Sequence, residues 1–128
     1  MEIYTSYYDK VLNIDAAPYT LVRVSRTAPP AWFLESFATH VDYSEGLGPS
    51  EAILQECPPN ENWEVFKPRY IEEVLKKHSP EGLLQDLNRV FRENGERPLL
   101  LLCYEPSDLN CHRYLLGDYI GKETKELT

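Results

Sequence analysis

The sequence predicts an α/β protein with a small three-layer, Rossmann-like fold, a short, mostly parallel sheet, and helices on both faces. Strand-like segments alternate with segments of helical periodicity, which is typical of layered α/β folds. The run Leu99–Cys103 is apolar throughout, as expected of a central strand covered on both faces. The chain has 128 residues, the length of one domain. We expect that domain over residues 1–121, followed by a polar tail over 122–128.

Strands are predicted where β-branched or apolar runs are bounded by prolines, and helices where apolar residues recur every three or four positions. The strands are expected at residues 3–6, 19–25 and 99–103. The helices are expected at residues 49–55, 63–75, 80–93 and 111–120. Residues 26–48 are predicted to form a long ordered loop with at most a helical turn, and such loops are usually functional.

Two helix starts carry capping signals. Ser79 is expected to cap a helix that Pro80 begins, because proline is favoured at the first helical position. Asn110 is expected to cap the last helix, which places Cys111 in its first turn. There the unpaired backbone N–H groups and the positive end of the helix dipole favour a thiolate.

The composition excludes several classes of partner. A net charge of −8 disfavours a general nucleic-acid surface or an anionic membrane surface, although a local pocket for a small anionic ligand or a nucleotide remains compatible. The cysteine count of three is odd and argues against a disulfide framework. Reduced thiols and the lack of a signal-peptide pattern predict a cytoplasmic protein without membrane contact.

The candidate catalytic residues are Cys111, His112 and Glu105. Glu105 follows the predicted strand 99–103, and the last helix returns to the same edge of the sheet, where ligands bind in such folds. We expect Cys111 to be the nucleophile, His112 the acid or base, and Glu105 the group that orients the imidazole or takes part in acid–base chemistry.

Substrate-binding residues are expected at the same edge. Arginine pairs with oxyanions through its planar guanidinium, strand ends offer hydroxyl and thiol groups, and an aromatic ring can stack on a planar ligand. The predicted binding residues are Arg113, Arg26, Cys103, Thr5, Ser6, Tyr7 and Trp32.

No metal site is assigned, and zinc at Cys103, Cys111 and His112 is kept as an alternative. The spacing is not one of the common zinc patterns, and neighbouring positions on a helix point in different directions. A fourth ligand would have to come from Glu105, Cys57 or His78.

These motifs together resemble the domain-of-unknown-function family numbered 488, over roughly residues 3 to 120. The resemblance implies a small α/β fold and supports Glu105, His112 and Arg113 as site residues, but it supplies no reaction. It rests on Tyr4-Thr5-Ser6-Tyr7, on Ser25-Arg26 with the following prolines and Trp32, on the helix from Trp63 to Leu75, and on Leu101-Leu102-Cys103-Tyr104-Glu105 with Cys111-His112-Arg113.

The sequence leaves open an enzyme and two alternatives. The first hypothesis is a cytosolic protein that binds or acts on a nucleotide or a nucleic-acid-derived anion at this Cys/His/Arg/Glu pocket. The second is a non-catalytic acidic module that contacts a protein partner through exposed aromatic residues of the 26–48 loop. The third is a structural metal site at Cys103, Cys111 and His112.

Overall fold

A single parallel sheet of five strands organises the structure, a computed structural model that describes residues 1–127. The strands are β1 (Ile3–Tyr7), β2 (Thr20–Arg23), β3 (Val41–Asp42), β4 (Leu99–Cys103) and β5 (Thr124–Glu126). They lie in the order β3-β2-β4-β1-β5, so β4 is central. The helices are α1 (Tyr8–Val11), α2 (Ala31–Ser36), α3 (Ser44–Leu47), α4 (Glu51–Glu56), α5 (Trp63–Glu73), α6 (Pro80–Glu93) and α7 (Arg113–Ile120), with a 3-10 turn at Leu75–Lys77.

Apolar side chains of β4 cover both faces of the sheet, because successive strand residues point to opposite sides. The large core on one face contains Leu99, Leu101 and Cys103 together with buried residues of α5, α6 and α7. The smaller core on the other face contains Leu100 and Leu102 together with buried residues of α1 and α2. This arrangement confirms the predicted three-layer α/β fold.

The strand register brings the predicted site segments to one edge of the sheet. Tyr7 at the end of β1 pairs with Cys103 at the end of β4. On the other side of β4, Arg23 at the end of β2 pairs with Leu102. Since all these strands are parallel, their carboxyl ends lie side by side, and Ser25 follows β2 into the same edge.

Residues 26–48 contain more regular structure than the sequence predicts. The segment forms α2, β3 and α3 in place of one long loop. β3 has only two residues, so it has no alternating pattern that a sequence could reveal, and it is held by pairing with β2 at Val22↔Val41 and Arg23↔Asp42.

The predicted tail is also partly structured. Residues 124–126 form β5, which pairs in parallel with β1. α7 does end at Gly121, whose φ of 70° is left-handed, and the chain then turns back to the sheet. Gly117 permits this close approach, because a Cβ there would lie 2.7 Å from the Lys122 carbonyl oxygen. Thr128 lies outside the described residues.

The last helix begins later than predicted. The cap at Ser79 is confirmed, since its Oγ accepts a hydrogen bond from the Gly82 amide at 3.0 Å. By contrast, α7 begins at Arg113, and Asn110 is not its cap. The Asn110 amide donates instead to Asn60 Oδ1 at 2.8 Å, which ties the loop after β4 to the segment before α5. Among residues 1–127, no helix is long and apolar enough to cross a membrane.

Candidate functional site

Two thiols and an imidazole converge at the carboxyl edge of the sheet. Cys103 ends β4, while Cys111 and His112 lie in the turn just before α7. The His112 Nδ1 atom is 3.7 Å from Cys111 Sγ and 3.8 Å from Cys103 Sγ, and the three donor atoms lie within 4.8 Å of one another. Because Cys111 and His112 precede the helix, their side chains can point to the same place.

A small cleft of about 190 Å³ opens beside this cluster. Of the two clustered thiols, Cys103 lines the cleft, whereas Cys111 lies behind it with no exposed surface. Residues of three chain segments form the walls: Ser25, Arg26, Thr27, Pro49, Leu54, Pro59, Cys103, Tyr104, Glu105 and His112. A small molecule that enters the cleft therefore meets Cys103 first.

The His112 ring is held in one orientation. Its Nε2 lies 2.7 Å from the Val24 carbonyl oxygen, so this nitrogen carries a proton and donates it. Tyr70 packs edge-on against the ring, with centroids 5.3 Å apart. These two contacts direct Nδ1 toward the sulfur atoms of Cys103 and Cys111.

The two thiols differ in their tendency to ionise. Burial alone would raise the pKa of Cys111, but the hydrogen bond from Cys103 and the charges of His112 and Arg113 outweigh it and lower the pKa. The hydrogen bond to Cys111, together with burial, raises the pKa of Cys103. Burial lowers the pKa of His112, yet the negative charge of Cys111 outweighs it and raises the pKa. Cys111 and His112 therefore favour a thiolate–imidazolium pair.

Glu105 is the acid–base group nearest to the cleft-lining thiol. The Cys103 Sγ lies 3.3 Å from Glu105 Oε2, which can accept the single thiol proton as an alternative to Cys111. Burial and the charge of Cys111 raise the pKa of Glu105, so this carboxylate is a stronger base than an exposed one. Glu105 is thus placed to accept the proton of Cys103.

Arg26 supplies a positive charge at the mouth of the cleft. Arg23 donates to the carbonyls of Ser25 and Arg26 at 3.1 and 2.8 Å, and the Tyr104 hydroxyl donates to the Ala28 carbonyl, so the wall backbone is fixed. The Arg26 side chain itself is exposed and makes no hydrogen bond or ion pair with any residue of 1–127. It is available to an anion.

A comparison with protein-family models gives a match over most of the chain. The model described as DUF488-N3a, the active DUF488-N3 subclade, matches residues 9–124. The chain belongs to the DUF488 family. No curated protein and no solved structure matches it. The resemblance found in the sequence is therefore confirmed at the level of the family.

Three predicted binding residues of this DUF488 protein contact β5 and the residue after it, and not the cleft: Arg113, Thr5 and Ser6. Arg113 is fully buried and pairs with Glu126, with its NH2 group 2.8 Å and its Nε 3.2 Å from the carboxylate. Thr5 Oγ1 donates to the same carboxylate at 2.6 Å, and Ser6 Oγ donates to the Leu127 carbonyl. Within the described part of the chain, none of the three lines the cleft.

The aromatic candidates also lie away from the cleft. Trp32 is half-buried and packs edge-on against Phe33, which has no exposed surface. Tyr7 pairs with Cys103 through the strand backbone but does not line the cleft. Within the 26–48 segment, Phe33 thus belongs to the core and Trp32 is packed against it with part of its ring exposed.

Several residues that shape the site could not be identified from the sequence. Glu126 lies in the predicted tail, and nothing local indicates that it pairs with Arg113 across the fold. The Val24 carbonyl is a backbone group, which carries no side-chain signal. Pro49, Leu54 and Pro59 form the wall opposite the strands, and only the tertiary fold brings them there.

Among residues 1–127 of this protein, the group that could hold a metal ion consists of Cys103, Cys111 and His112. Glu105 borders them through its contact with Cys103. The two other ligands considered from sequence are committed elsewhere: the Cys57 thiol donates to the Ile53 carbonyl, and His78 Nε2 bonds to the Gly46 carbonyl at 2.9 Å.

Proposed function

We propose that this protein is a thiol-dependent enzyme in which Cys103 attacks a small anionic substrate bound in the cleft. One observation carries the proposal: Cys103 is the clustered thiol that lines the cleft, with the Glu105 carboxylate 3.3 Å from its sulfur. A nucleophile beside a base, in a cleft that also presents a cation, is the arrangement expected of nucleophilic catalysis. The description of the family model as an active subclade also supports a catalytic role.

The proposed reaction is a group transfer to water. Glu105 takes the proton of Cys103 as the sulfur forms a bond to the electrophilic atom of the substrate. The bond between that atom and the leaving group breaks, and the leaving group keeps the electron pair. Glu105 gives the proton to the leaving group. Glu105 then takes a proton from water as the water oxygen displaces the Cys103 sulfur. It returns this proton to the Cys103 thiolate.

Cys111 and His112 act as positioning residues in this scheme. Cys111 is buried behind Cys103, and the His112 Nδ1 faces both sulfurs at 3.7 and 3.8 Å. Their thiolate–imidazolium pair fixes the charge behind the nucleophile, so little reorganisation is needed when Cys103 reacts. The sequence assigned the attacking thiol to Cys111, and we propose the exchange of these two roles because Cys103 faces the cleft.

The proposed substrate is anionic because Arg26 places a positive charge beside the cleft. The Arg26 guanidinium, which has no side-chain partner among residues 1–127, borders the cleft and also a neighbouring groove of about 550 Å³. The cleft itself admits only a small reactive group, since pockets for whole cofactors are typically about 300–1,000 Å³. A nucleotide would bind with its anionic end at Arg26 and its remainder in the groove. We expect this chemistry in the cytoplasm, where thiols stay reduced.

Alkylation with two reagents of nearly equal size tests both parts of the proposal. Iodoacetate is anionic and iodoacetamide is neutral, and both replace iodide with the thiol sulfur. We expect Cys103 to react faster than Cys57 with either reagent, and Arg26→Gln to lower the iodoacetate-to-iodoacetamide rate ratio by about threefold or more, as one lost charge interaction implies.

Arg92→Gln is the matched control, because it removes the same charge from an exposed position on α6. An equal change of the rate ratio in both variants would refute the role of Arg26. Reaction of Cys103 no faster than that of Cys57 would refute its role as nucleophile.

A further inference from the structure

The two nitrogen–sulfur separations at the site are close to those of a tetrahedral metal centre, and all three donor atoms lie within 4.8 Å of one another. Zinc binds sulfur at about 2.3 Å and imidazole nitrogen at about 2.0 Å, so tetrahedral angles place the two donors roughly 3.6 Å apart. The His112 Nδ1 lies 3.7 Å from Cys111 Sγ and 3.8 Å from Cys103 Sγ. A small movement of these side chains would complete the geometry.

The orientation of His112 also fits a metal ligand. Nε2 donates to the Val24 carbonyl oxygen at 2.7 Å, so Nδ1 is the nitrogen that faces the thiols, and it binds a metal ion once the imidazolium releases its Nδ1 proton. Metal-binding histidines almost always donate their second nitrogen to a carbonyl or a carboxylate in this way, because the contact fixes the tautomer and the ring.

Cys111 and His112 can share a metal site with Cys103 because they lie in the turn before α7 and not on the helix itself. Neighbouring residues on a helix diverge, but Cys111 and His112 precede Arg113, the first residue of α7. Their side chains converge as a result. All three donor residues are buried, so a cation here is held by two thiolates that balance its charge.

A fourth ligand can approach the three donor atoms from the cleft. Cys103 and His112 line the cleft, and Glu105 reaches Cys103 Sγ at 3.3 Å through the Oε2 atom. Either this carboxylate or a water molecule can complete the coordination. Soft thiolate donors together with an imidazole select thiophilic ions such as Zn²⁺ over Mg²⁺ or Ca²⁺.

The geometry points to a reversible inhibitory site at which Cys103, Cys111 and His112 bind a thiophilic divalent cation. The ion takes up the lone pair of Cys103 that would attack substrate, so the metal-bound protein does not react until the ion is removed. The inference rests on the proposed function in this one respect, that the blocked thiol is the nucleophile.

Titration of the chelator-treated full chain with Co²⁺ tests binding directly, because tetrahedral thiolate coordination gives strong visible absorption. We expect saturation at a single ion per chain and displacement of Co²⁺ by Zn²⁺. Cys111→Ser and His112→Asn should each weaken binding by at least roughly tenfold, since even the loss of an outer-sphere contact has that effect. Cys57→Ser, which alters a buried thiol outside the cluster, should bind as the unaltered protein does.

Alkylation of Cys103 with and without Zn²⁺ then tests the inhibition. We expect the reaction to slow by about tenfold or more with Zn²⁺ and to recover after chelation, in both the unaltered protein and Cys57→Ser. The absence of Co²⁺ absorption, or equal binding by Cys111→Ser and His112→Asn folded by circular dichroism, would overturn the site. Metal binding that leaves the Cys103 rate unchanged would overturn the inhibition.

Failure of the proposed function has a different signature. Alkylation of Cys103 no faster than that of Cys57 in the metal-free protein would refute the proposal that Cys103 is the nucleophile. The Co²⁺ absorption and its dependence on Cys111 and His112 would then still decide whether the metal site exists.

Discussion

His112 and Arg113 are neighbours in the chain, yet they belong to two regions of opposite character. His112 turns to the thiols and the cleft, where soft donors converge and reactive groups remain available. Arg113 turns to Glu126 on β5, where its Nε and NH2 groups donate to the carboxylate. The buried Arg113 thus stabilises the fold, while the exposed Arg26 is accessible to a ligand.

The Arg113 region stabilises the turn that carries the chemistry. Glu126 accepts hydrogen bonds from Arg113, Thr5, Ser107 and Tyr114, so one carboxylate joins β1, the loop after β4, and α7. This network fixes the start of α7, and the turn before it then places the Cys111 and His112 side chains at the cleft.

The largest effect is expected from Arg113→Met. The substitution removes the buried cation and leaves Glu126 half-buried without its partner, so the free energy of unfolding should fall by about 3 kcal/mol. Urea denaturation followed by circular dichroism measures it. The double variant Arg113→Met with Glu126→Leu should recover part of the loss. A loss below about 1 kcal/mol would mean that the pair is not a structural anchor.

A smaller loss of stability is expected from His112→Phe in the region of the thiols and the cleft. Phenylalanine keeps a ring against Tyr70 but leaves the Val24 carbonyl without its donor, which should cost about 2 kcal/mol. The alkylation rate of Cys103 should change as well, because the ring no longer fixes the two sulfurs. The same rate as in the unaltered protein would remove His112 from the site.

The smallest effect concerns the pH dependence of stability. Burial alone would raise the pKa of Glu126, but hydrogen bonds from Arg113, Ser107 and Thr5 outweigh it and lower the pKa below 4.5. A carboxylate with a lowered pKa contributes stability that is fully present above pH 4.5 and is lost as the pH falls through its folded-state pKa.

Urea denaturation of the unaltered protein and of Glu126→Gln across the acid range tests this expectation. The difference in unfolding free energy between them should shrink as the pH falls below 4.5. A difference that stays constant through that range would show that Glu126 titrates as it does in the unfolded chain.

Much of the fold is predictable because local patterns and global packing agree. The apolar run of β4, the Ser79 cap and the Gly121 stop each act through neighbouring residues, and each is found as expected. The missed strands are short: β3 has only two residues, and β5 has three polar ones. They exist because β2 and β1 offer partners, which is information that lies elsewhere in the chain.

The site is predictable in its location but not in its assignment of roles. Parallel strand ends share an edge, so Cys103, Glu105, Cys111 and His112 could be placed together from the sequence. Whether a side chain faces a cleft or the core depends on the start of α7, and α7 starts at Arg113 while the Asn110 backbone N–H donates to Asn60 Oδ1. Capping rules alone do not contain this contact.

Identification of the first thiol to react tests the central claim most directly. The unaltered protein is exposed briefly to substoichiometric iodoacetamide, digested, and mapped by mass spectrometry to locate the modified cysteine. We expect modification at Cys103, with Cys111 and Cys57 unmodified until the protein unfolds. Modification at Cys111 before Cys103 would contradict it.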